Sequence, residues 1–259
     1  MIDTHCHLDA PRFDADREAV TQRAFAAGLE AIVVPGVEPA QWPGLLEWPA
    51  REPRIVVGLG IHPQFLPDLA PADDDRALAE LDTLLGRGGA RAVGECGLDG
   101  PSAERAPMDR QVSILRAHFA LARKHRLPLL VHCLRSHPQL RAVLDEEPVP
   151  EAGLLLHSYS GSHELVKRYV QAGCHFSFAG PITFVDARRP LDALAAIPLE
   201  RLMVETDAPD QAPHPHRGSR CEPAHLPLMI DAVARVKGEA ARAAVTENAR
   251  RFFRLPEPK

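Results

Sequence analysis

The chain has 259 residues, 45% hydrophobic and 25% charged, with a formal charge of −5; its length is close to the roughly 250 residues of one (β/α)8 barrel. The acidic balance argues against a broad basic surface for duplex nucleic acid, and no apolar run approaches the roughly 18 residues that suggest a membrane span. Five cysteines without CxxC spacing argue against a disulfide framework.

The first residues, Met1 to His5, lack the charged and apolar regions of a signal peptide, so a cytoplasmic location is expected, with no membrane and no obligate protein partner. Apolar runs predict strands over residues 2–5, 31–35, 55–60, 92–95, 129–132, 154–157, 174–178 and 202–205. Helical segments are predicted between them at 16–27, 39–46, 72–85, 104–124, 137–145, 162–171 and 187–196, with closing helices at 222–236 and 239–253. Eight strands each followed by a helix predict a TIM (β/α)8 barrel, a single domain over 1–259. An open doubly wound sheet is the alternative, but no GxGxxG follows the first strand.

Six residues of metal-binding type punctuate the strand ends: His5 and His7, Glu95, His132, His157 and Asp207. A parallel barrel gathers the C-terminal ends of its strands on one face, where catalytic groups are expected. His5 and His7 share one face, because side chains along a strand repeat every two residues, and two neutral imidazoles aimed at one point chelate a divalent ion. Cys6, Cys96 and Cys133 each follow a ligand and should face the other way, as small buried filler. Glu95 and Asp207 each need a cation or strong hydrogen bonds if buried. Four imidazoles and two carboxylates are too many for one catalytic ion with an open position but suit two, about 3.5–4 Å apart, that share a water. None of the four lysines lies at a proposed strand end, which leaves Glu95 as the bridging ligand.

Around these residues the chain resembles the TatD family of metal-dependent hydrolases, and most closely its YjjV-type branch. The matching pieces include Ile2-Asp3-Thr4-His5-Cys6-His7, Gly60-Ile61-His62-Pro63 and Gly94-Glu95-Cys96-Gly97-Leu98-Asp99. His157-Ser158-Tyr159-Ser160-Gly161, Val204-Glu205-Thr206-Asp207-Ala208-Pro209 and Thr246-Glu247-Asn248 also match. The resemblance implies a barrel in which His5, His7, Glu95 and Asp207 hold one ion and Glu95, His132 and His157 a second, as magnesium, manganese or zinc. It implies 3′-5′ exodeoxyribonuclease activity on single-stranded DNA, with RNA a further substrate. The alternative is hydrolysis of a carboxylic ester or amide, such as a lactone or a D-aminoacyl-tRNA. The segments at Gly100 to Ala103, Tyr159 and Arg220-Cys221-Glu222-Pro223 depart from the family pattern and bear on substrate rather than metal.

The expected chemistry is attack of activated water on phosphorus, with Asp207 and Glu95 catalytic. Asp207 acts either as general base or as a ligand alone. His62, Arg135 and Glu205 are the substrate-binding candidates, since a guanidinium fork suits phosphate; Glu205 could instead support the ligands, and Asp3 could orient an imidazole. Arg217 and Arg220 are weaker phosphate candidates, and His214 and His216 read as exposed loop.

Overall fold

The computed structural model describes residues 1–257. In chain order its first half carries β1 (Ile2–Asp3), α1 (Arg17–Ala26), β2 (Ala31–Gly36), α2 (Trp42–Leu45), α3 (Trp48–Arg51), β3 (Ile55–Leu59), α4 (Asp74–Arg87) and β4 (Ala90–Asp99). Then follow α5 (Met108–His125), β5 (Leu129–Leu134), α6 (His137–Glu146), β6 (Leu154–Leu156), α7 (His163–Gln171), β7 (Cys174–Phe178), α8 (Arg188–Ala196), β8 (Leu202–Val204), α9 (Leu226–Lys237) and α10 (Ala241–Phe253). The strands form one eight-stranded sheet in sequence order, the (β/α)8 barrel predicted from the run pattern.

Two compact units make up the chain. The first comprises residues 1–34, 161–171 and 175–259. In it β1 pairs in parallel with β2, and β7 with β8. Thr4 N donates to Val204 O at 3.2 Å, which joins β8 to β1 and leaves the strand order β7-β8-β1-β2. Buried Val245, Ala249, Phe252 and Phe253 recur at helical spacing along α10, giving it one apolar face.

The second unit, residues 35–160 and 172–174, holds β3 to β6, each parallel to its neighbour. Its longest helix, α5, buries Ile114, Leu115, His118, Phe119 and Ala122 along one stripe. The sequence places its start at 104, but the helix begins at Met108, just after Pro107. A proline disfavours helical backbone in the residue before it, here Ala106, so Glu104 stays in a separate short turn. The segment 39–46 is likewise a 3-10 turn followed by the short α2 rather than one helix, because Pro39 and Pro43 supply no backbone N–H.

The largest departure is β4. The sequence ends this strand at Glu95, yet it continues to Asp99. Its register against β5 advances from Val93↔Leu129 to Cys96↔Val131, three residues against two, so an extra residue is accommodated at Gly94-Glu95. A bulge of this kind re-aims the side chain it carries. Glu95 therefore projects from within a buried strand, and Asp99 follows four residues later on the same face.

Candidate metal centre

In the second unit the donors converge on Glu95 Oε1. His157 Nε2 lies 2.7 Å from it, His62 Nε2 3.0 Å and His132 Nδ1 3.3 Å. Glu95 and His157 are almost wholly buried, and His132 is mostly so. Hydrogen bonds decide what each imidazole offers. His132 Nε2 lies 3.0 Å from Asp99 Oδ2. Asp99 also accepts from Ser102 N and Gln64 Nε2, as a carboxylate does. Burial pushes the Asp99 carboxyl upward, but the bonds from His132, Ser102 and Gln64 outweigh it and hold the group well below the usual range. A neutral His132 therefore donates its Nε2–H outward, and its Nδ1 lone pair then faces Glu95 and His157 Nε2, 3.2 Å away.

His62 is arranged the opposite way. The Gln64 N–H donates to His62 Nδ1 at 3.1 Å, so a neutral ring carries its proton on Nε2 and donates it to Glu95. The donor atoms of His62, Glu95 and His132 all lie within 4.8 Å of one another. The tautomer nevertheless separates His62, a hydrogen-bond donor, from His132, a lone-pair donor. The backbone around His62 is pinned on several sides. Gly60 O accepts from Trp42 Nε1, Ile61 N donates to buried His118 Nε2, and His62 N donates to Val37 O.

In the first unit His5 Nε2 and His7 Nε2 stand 3.3 Å apart. Asp207 Oδ1 is 3.8 Å from the former and 3.6 Å from the latter. Gln211 Nε2 donates to the other Asp207 oxygen, so Oδ1 is the one turned toward the imidazoles. Backbone bonds hold the trio: Asp207 N donates to His5 O at 2.9 Å and His7 N to Ala208 O at 2.8 Å. Asp207 (φ 51°), like Arg135 (φ 52°) and Ser158 (φ 42°) after β5 and β6, adopts left-handed backbone without being glycine. Such conformations cost roughly 1 kcal/mol or more each and persist where surrounding structure enforces them, often at functional sites.

The donor chemistry fits divalent metal in both units. Bonds of about 2.0–2.1 Å in a tetrahedral shell put neighbouring donors roughly 3.3 Å apart. The His5–His7 and His132–His157 nitrogen pairs stand at 3.3 and 3.2 Å. The His132 tautomer, fixed from outside by Asp99, is the arrangement a ligating histidine needs.

The other candidates divide. Arg135 is exposed and makes no hydrogen bond or ion pair among the described residues, so its guanidinium is available to an anion. Glu205 is fully buried and accepts from Ser177 Oγ at 2.5 Å. Asp3 binds backbone and hydroxyl rather than an imidazole ring. Its oxygens accept from Thr206 N, Thr206 Oγ1 and His5 N, which ties the ends of β1 and β8 together. Burial pushes its carboxyl up to about 8 against those bonds. Arg220 is spoken for by Asp16 and Glu222, so it is not a free phosphate donor. Cys6, Cys96 and Cys133 are buried free thiols, in keeping with their reading as filler.

Sequence reading missed Asp99, although Glu95, Gly97 and Asp99 at a spacing of two carried the signal. Gly97 itself has φ 147°, and a Cβ there would sit 2.0 Å from His132 O. Only glycine lets β4 approach the His132 backbone so closely.

Comparison with known proteins agrees with this geometry. The family of TatD related DNases matches residues 2–254. YabD of Bacillus subtilis, named as a metal-dependent hydrolase, is 33% identical over 98% of this chain and 99% of its own length. The 3′-5′ ssDNA/RNA exonuclease TatD of Salmonella typhimurium is 31% identical over 98% of this chain and 99% of its own. The crystal structure of YjjV, a TatD homolog from Escherichia coli, superposes with a TM-score of 0.91 at 31% identity, covering 99% of this chain and 98% of that one. Fold, donor groups and whole-length similarity lead to one conclusion: the chain belongs to the TatD family of metal-dependent hydrolases.

Proposed function

We propose that the protein hydrolyses phosphodiester bonds of single-stranded DNA, removing nucleotides from the 3′ end, with RNA a second substrate. In this reading His5, His7, Glu95 and Asp207 hold one divalent ion, and Glu95, His132 and His157 hold a second, Glu95 serving both. The observation that carries it is the His132 geometry: Asp99 accepts the outer N–H, which in the neutral ring turns a lone pair toward the Glu95 and His157 donors. The relative named as a 3′-5′ ssDNA/RNA exonuclease supports the substrate class.

When bound, such ions supply a water ionised near neutral pH and charge stabilisation at the phosphoryl group. The protein's own groups do the rest. Asp207, with one oxygen fixed by Gln211, accepts the proton of the attacking water on Oδ1. With Glu95 engaged by an ion, the His62 Nε2–H that Glu95 accepts here is left for a phosphoryl oxygen, its tautomer set by the Gln64 amide. Arg135 offers its planar fork to a neighbouring phosphate. Glu205, expected from the sequence to bind substrate, is fully buried against Ser177 and supports the β8 end instead.

Assay of the purified protein on short single-stranded DNA, lactones and acylated transfer RNA, each with magnesium, manganese or zinc, tests this reading. Release of mononucleotides that is lost in Glu95→Gln is expected. Ester turnover with inert DNA would replace it with carboxylic ester hydrolysis at the same centre.

A further inference from the structure

The loops that follow β7 and β8 pack tightly within the first unit. A Cβ on Gly180 would lie 1.9 Å from Gln211 O and 2.7 Å from Pro213 N, so the β7 loop is seated directly against the β8 loop. The Thr183 hydroxyl donates to Gly180 O at 2.6 Å and accepts the His214 N–H at 2.8 Å, which bolts the two loops together. Beyond this point the His216 ring lies parallel on His225, centroids 4.3 Å apart and planes within 5°.

On this fixed base Arg217 lies over the Phe184 ring, its Cζ 4.4 Å from the centroid. Arg217 is exposed and makes no ion pair or hydrogen bond among the described residues. Val185, next to Phe184 in sequence, is 95% exposed. Most other arginines near β1 and β8 are engaged: Arg12 with Asp210, Arg17 with Asp14, Arg23 and Arg220 with Glu222. A planar cation held flat by an aromatic ring, with its outer face open, suits stacking on a nucleobase. Arg217 lies in the segment after β8 that also carries Asp207.

We propose that Phe184 and Arg217 form a stacking platform for a nucleobase of the single strand whose phosphodiester is cut. Phe184 sets the plane of the guanidinium, the base stacks on its outer face, and Val185 lies against the sugar. This rests on the nuclease reading and adds to it the group that holds the strand. The contact is with a π-face, so the platform accepts any base.

The test is fluorescence anisotropy with the full-length, metal-loaded protein and a phosphorothioate-linked ten-nucleotide thymidine strand that resists cleavage. The same measurement is made with an abasic strand of equal length. Arg217→Lys keeps the charge and loses the plane; Phe184→Leu keeps bulk and loses the ring. Each variant is expected to bind the thymidine strand roughly 5- to 150-fold more weakly, the range for loss of one stacked base. On the abasic strand wild type and Arg217→Lys should be equal within about twofold. Equal affinity of wild type and variants for the thymidine strand, or an equal loss on the abasic strand, would overturn the platform, as would no measurable binding by wild type. Cleavage of unmodified DNA is scored separately, so failure of the nuclease reading is distinguishable from failure of the platform.

Discussion

Replacing Asp99 with asparagine isolates the tautomer argument. The carboxylate accepts three donors at once: His132 Nε2, Ser102 N and Gln64 Nε2. An asparagine has one accepting oxygen and one donating NH2, so at least one of these donors then faces a donor. If that donor is His132, the ring lowers the conflict by moving its proton to Nδ1, which removes the lone pair turned toward Glu95 and His157. Loss of such an outer partner costs about 10–100-fold in metal affinity, or about 1.4–2.7 kcal/mol. Calorimetric titration of the metal-free protein with Mn2+ or Zn2+ reads this directly. Activity should fall by the same factor at limiting metal and recover largely at saturating metal. Wild-type metal affinity in a folded Asp99→Asn protein would refute the assignment of His132 Nδ1 as a donor.

Three further outcomes follow from the same structure. Gly97→Ala should cost at least about 3 kcal/mol in urea unfolding, since its Cβ would overlap His132 O in backbone that alanine avoids; a loss under 1 kcal/mol would contradict the close approach. His118 is buried and neutral: desolvation lowers it to about 4, against the bond to Ile114 O. Because its folded value lies below the unfolded 6.5, its contribution is whole above pH 6.5 and is lost as pH falls toward 4, about 2 kcal/mol by pH 5. Wild type should therefore lose more stability between pH 7 and pH 5 than His118→Gln, and equal slopes would contradict this. Arg135→Ala should raise KM for single-stranded DNA several-fold with little change in kcat, and Arg135→Lys should restore only part of it; an unchanged KM would remove Arg135 from the substrate path.

The alternation of apolar runs with helical segments made the barrel legible, because buried parallel strands read as short aliphatic stretches. His5, His7, His132, His157 and Asp207 stood out because each interrupts or follows such a run. What escaped depends on contacts between distant segments. The bulge at Gly94-Glu95 looks like a strand end in sequence, since glycine is read there as a breaker; only the partner strand β5 shows that β4 continues. Whether His62 presents a proton or a lone pair depends on the Gln64 amide, a local backbone bond that composition does not reveal. Arg220 and Arg217 lie three residues apart in one loop, yet the first is bound by Asp16 and Glu222 and the second lies on the Phe184 ring with no ion pair among the described residues. Asp3 resembles a ring-orienting carboxylate by position but serves Thr206 and the His5 backbone.

The central claim is that these donors hold divalent cations through Glu95. Equilibrium dialysis against Mn2+, followed by elemental analysis of wild type and Glu95→Gln side by side, tests it without reference to any substrate. The account predicts about two equivalents bound per wild-type chain and a clear loss in the variant while its fold is retained. Negligible metal in wild type, or undiminished occupancy in Glu95→Gln, would contradict it.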